Sequence, residues 1–105
     1  MATGWMIGVL VEGAAGAAPT RQFFAVAQPD RARAEWAAAD RAMLLGAIAS
    51  SPHFGHEPVD AVGELNERAL HLLGLGAGQI KALGDKWPRR WLPAARVLPH
   101  DDAKG

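Results

Sequence analysis

Cysteine is absent from this 105-residue chain. Its absence excludes disulfides, thiolate chemistry and cysteine-ligated zinc. Tyrosine is absent as well, and Thr3, Thr20, Ser50 and Ser51 are the only hydroxyl side chains. None of them sits in a nucleophile-elbow sequence, and the nearness of Ser51 to His53 in sequence is not triad geometry. No apolar run approaches the length of a membrane span. The formal net charge is zero, which argues against a dedicated nucleic-acid binder, because such a domain is usually basic. The apolar stretch from Trp5 to Val11 and the small residues after it loosely imitate a secretion signal. No positive segment precedes that stretch, and Glu12 interrupts it. With no disulfides to serve an extracellular life, a cytoplasmic location is expected.

What is present suits one globular domain. Half of the residues are apolar and 21% are charged, an ordinary globular balance. Much of the apolar half is alanine, which buries little area, so the core falls to the larger side chains. The candidates are Trp5, Ile7, Leu10, Phe23, Phe24, Val26, Trp36, Leu44, Leu45, Ile48, Leu70, Leu73, Ile80 and Leu83. The abundance of Ala and Gly, with eight arginines against three lysines, is the composition expected of a GC-rich bacterial genome.

Residues 4–12 are β-branched, aromatic and too few for a helix, so they read as a strand with both faces apolar. Gly13 to Pro19 reads as a loop and Arg21 to Ala27 as a second strand, paired antiparallel with the first. Pro29-Asp30 opens a helix: proline suits its first turn, and the Asp30 carboxylate can satisfy free N–H groups there. Ala32, Trp36, Ala39 and Met43 form one apolar stripe, with Trp36 as its anchor. This helix is expected to run to about Gly46, with a buried strand over 43–49 as the alternative. The prolines and glycine of residues 51–58 mark a loop. Val59 to Leu65 reads as a third strand, Asn66 as the cap of a short helix ending at Gly74, and Gln79 to Leu83 as a last strand. Trp87 onward, with Pro88, Pro93 and Pro99, cannot form a regular central element.

The order β-β-α-β-α-β predicts a small two-layer α+β domain, with a mainly antiparallel sheet and its helices on one face. Residues 1–92 are expected to form the domain and 93–105 a proline-containing, partly disordered tail. Helices on one face would leave the other bare, so a second copy of the chain is expected to cover it as a homodimer.

Charge is polarised along the chain. Residues 47–78 carry Glu57, Asp60, Glu64 and Glu67 against Arg68, a balance of −3, and residues 79–99 carry Lys81, Lys86, Arg89, Arg90 and Arg96 against Asp85, a balance of +4. The basic stretch contains the best candidate binding segment: Lys86, Trp87, Arg89, Arg90 and Trp91 around Pro88. Trp and Arg are the types most enriched at binding hot spots. Arg89 and Arg90 can fork onto a carboxylate or phosphate, and Trp87 or Trp91 can stack on a base, a ring or an arginine of a partner. The simpler role for both indoles is a strap over the sheet. One can pack while the other stays at the rim, so the roles can coexist.

His53, His56 and Glu57 lie within five residues and are weak candidates for a metal. The order differs from the helical zinc-protease motif, and a further ligand would have to come from His71 or Asp60. Gly74, Gly76 and Gly78 lack the spacing and the strand-before-helix setting of a nucleotide loop, so they read as a helix stop. No cofactor motif is present and no catalytic residue is assigned. The expectation is a binding or accessory protein docking a protein or acidic ligand through the Trp/Arg segment. The alternative is a small-molecule or metal-dependent enzymatic domain built on the His53/His56/Glu57 loop.

Overall fold

The computed structural model describes residues 3–15 and 17–92; the expected tail, 93–105, lies outside the described residues. The elements are β1 (Gly4–Val11), β2 (Thr20–Val26), α1 (Arg31–Ala42), β3 (Val59–Leu65), α2 (Glu67–Leu72) and β4 (Ile80–Gly84). All pairings are antiparallel, in the order β3-β1-β2-β4. The α+β class and the element order are those expected from the sequence. The strand with two apolar faces, β1, is central. Alternation along it sends Met6 to one face and Ile7, Val9 and Val11 to the other.

The helices divide between those two faces instead of sharing one. Ala34, Ala38 and Ala42 of α1 pack with Ile7, Val9, Val11, Phe24 and Val26. Ala69 and Leu70 of α2 pack with Met6, Phe23, Ala25, Val62, Leu65 and Leu92. The cause is the strand order: α1 carries the chain from β2 across β1 to β3, and α2 then starts the return to β4 at the far edge. The face expected to be bare is therefore covered, and Met6, Phe23 and Ala25 are all buried. A bare sheet no longer supplies a reason for a second copy.

The stripe expected on α1 is also replaced. Trp36 is 75% exposed, and Met43 and Leu44 are exposed with it. The inner face is three alanines at i, i+4 and i+8, which let the helix lie close over bulky Ile, Val and Phe side chains of the sheet. The helix starts where Asp30 accepts a hydrogen bond from the Arg33 N–H at 3.1 Å and ends at Ala42, short of Gly46. There the Leu44 and Leu45 N–H groups donate to Arg41 and Ala42, tightening the last turn. Residues 43–49 form neither more helix nor a strand. The chain attaches to the end of β1, with Glu12 N–H donating to Ala47 (2.8 Å) and Ala49 N–H to Leu10 (2.9 Å).

Candidate functional site

After β4 the chain makes one tight turn over the α2 side of the sheet. The Arg89 N–H donates to the Trp87 carbonyl at 2.8 Å, and the Trp91 and Leu92 N–H groups donate to the Pro88 carbonyl at 3.0 and 3.1 Å. Pro88 and Leu92 are buried and fasten the turn to the core. The fixed φ of proline suits this: it holds the turn while removing a donor that would otherwise need a partner.

The two indoles are treated differently by this anchoring. Trp91 is half-buried and packs on the cluster around Met6, Phe23 and Leu70. Trp87 is 42% exposed and meets the Phe23 ring edge-on, with centroids 5.5 Å apart and planes at 86°. The strap and the rim site are thus both present in one segment. Lys86, Arg89 and Arg90 are exposed. The Arg90 guanidinium carbon lies 4.8 Å from the Trp91 ring centre, a cation–π distance. The cap residue Asn66 and Arg68, Ala69 and Leu72 of α2 line, with Arg90 and Trp91, a groove of about 150 Å³. Among the described residues, none of Lys86, Arg89, Arg90 and Arg68 is in an ion pair; both ion pairs found belong to Arg31. The groove therefore sets two guanidiniums, neither in an ion pair among the described residues, beside the buried Ala69 and the exposed Leu72.

The histidine loop is built for a turn. His53 and His56 exchange both backbone hydrogen bonds at 3.0 Å. Phe54 and Gly55 between them have φ of 54° and 77°, the positive pair that a tight two-residue reversal needs. The His53 ring packs on Phe54 at 4.1 Å. Among the described residues, no three His, Cys, Asp or Glu side chains come together to hold a metal ion. Neither His71 nor Asp60 therefore completes a set with His53, His56 and Glu57. The glycine stretch is a helix stop: Gly74 has φ 75°, and the Leu75 N–H reaches back to Leu70 at 2.9 Å.

Sequence reasoning missed Arg21. Its side chain lies over Gly8, where an added Cβ would approach Nε to 2.8 Å. It faces the Phe23 ring at 5.3 Å. Nε and Nη2 are buried with no hydrogen-bond partner among the described residues. Burial lowers the guanidinium from its ordinary value, and the charge of Asp60 works in the opposite sense. Arg21, Phe23 and Trp87 thus form one contiguous row. The signal that could have found it is Gly8, a glycine inside a strand, which marks a close approach.

Among the described residues, no helix is long and apolar enough to cross a membrane. No protein family, curated protein or solved structure matches the chain.

Proposed function

We propose that this chain is a non-enzymatic binding protein that docks a carboxylate-bearing segment of a partner protein in the groove between α2 and the Trp87–Trp91 turn. The observation that carries the reading is the Arg90–Trp91 stack at 4.8 Å, set beside Arg68, Ala69 and Leu72, with neither arginine in an ion pair among the described residues. Stacking fixes the Arg90 fork in place, so less freedom is lost when it meets a carboxylate. An acidic residue next to a leucine or methionine in the partner fits both features. Arg89 and Lys86 at the outer rim speed encounter with an acidic surface more than they hold it. The absence of cysteine supports a cytoplasmic setting and the composition a bacterial one. We also propose that the chain works as a homodimer, which the exposed Trp36 of α1 supports. The enzymatic alternative on the His53/His56/Glu57 loop has no set of three ligating groups among the described residues to support it.

A fluorescent peptide of glutamates around one leucine tests the docking. Wild-type protein is expected to bind it, and Arg90→Ala to weaken binding by about tenfold, the effect of one lost charge-assisted contact. Undiminished binding by Arg90→Ala at an unchanged melting temperature counts against the groove.

A further inference from the structure

We infer that the outward face of α1 is a two-fold interface between copies of this chain, with Trp36 at the axis. The inference rests on the homodimer proposed above and gives it a surface. Trp36 stands 75% exposed at the centre of the face opposite Ala34, Ala38 and Ala42. An indole carries about 150–250 Å². Just past the helix end, Met43 and Leu44 are exposed as well.

Charge selects the occupant. Arg33 and Asp40 are three residues before and four after Trp36, on the same outward stripe. Both are exposed, and neither side chain has an ion partner among the described residues. They stand about 10 Å apart along the helix axis, with Trp36 close to their midpoint. A two-fold axis through Trp36 runs the two helices antiparallel. It then places Arg33 against Asp40 of the second copy and Asp40 against its Arg33, the self-complementarity an isologous contact requires. The indoles supply the affinity and the two charge pairs set the register.

The test uses the full chain in light scattering after size exclusion at micromolar concentration. Wild type is expected to be a dimer. Arg33→Glu alone and Asp40→Arg alone each set two like-charge contacts across the axis and are expected to raise the dimer dissociation constant by about 10- to 100-fold. Their melting temperatures, read on dilute monomer, should match that of dilute wild type. Mixing the two single variants restores both opposite-charge contacts, so the mixture is expected to dimerise although neither variant does alone. A wild-type monomer overturns both the dimer and this interface. A wild-type dimer that both single variants preserve overturns the interface and leaves the dimer standing. Single variants that dissociate but fail to recombine overturn the charge pairing, and with it the two-fold axis at Trp36.

Discussion

The Arg21 guanidinium lies across Gly8 so closely that a Cβ at position 8 would stand 2.8 Å from Nε and make the side chain shift. A charge with two buried nitrogens that have no hydrogen-bond partner among the described residues is costly to hold. Arg21→Met keeps the stem over Gly8 and removes that cost, so we expect it to leave stability unchanged or raise it by about 1 kcal/mol. Gly8→Ala is expected to destabilise the wild-type chain by about 1–3 kcal/mol through overpacking. The same change should cost clearly less beside Arg21→Ala. Urea denaturation checks both, the first by comparing Arg21→Met with wild type and the second by a double-mutant cycle of Gly8→Ala and Arg21→Ala; equal Gly8→Ala costs in the two backgrounds would show that the residues do not touch.

The inside and outside of α1 give opposite expectations for its largest and smallest residues. Trp36→Ser should change stability by no more than about 0.5 kcal/mol in dilute monomer, as surface changes usually do. Ala38→Leu places a large side chain between helix and sheet at a fully buried position and should cost about 1–3 kcal/mol or more. Thermal melts of the two variants decide it. A large loss for Trp36→Ser would return that residue to the core.

That contrast shows how far the sequence could be read. The strands were legible because β-branched and aromatic residues cluster at 4–11 and 20–26, bounded by glycine and proline. The caps at Asp30 and Asn66 were legible because each carboxyl or amide oxygen has an N–H three residues on, which it meets. The inner face of α1 was not. Alanines occur on nearly every side of this helix, so the period carried little information, and the one large residue drew the assignment. The division of the helices between faces depends on strand order, which no local pattern encodes. Within the site, the Trp/Arg segment stood out by composition. Its groove did not, because Asn66, Arg68 and Leu72 come from α2 and its cap, about twenty residues away in sequence.

The two C-terminal indoles should separate in stability. Trp91 packs on the core and Trp87 meets only the edge of it, so Trp91→Ala is expected to cost about 3 kcal/mol and Trp87→Ala about 1 kcal/mol, the scale of one aromatic pair. Chemical denaturation of both variants tests the order. Equal losses would mean that Trp87 is as much a strap as Trp91.

Docking on paired guanidiniums should weaken with salt, because the rim charges are exposed to screening. The affinity for a glutamate-rich peptide is expected to fall severalfold between low and physiological ionic strength, and to fall less for Arg89→Ala. A salt-independent affinity would point to a purely apolar contact.

The most direct measurement is an NMR titration of the isotope-labelled full chain with that peptide. Binding in the groove predicts the largest shifts at the backbone of Arg68, Leu72 and Arg90 and at the Trp91 indole N–H, with Trp36 unmoved. Shifts centred elsewhere, or none at saturating peptide, would contradict a docking groove between α2 and the C-terminal turn.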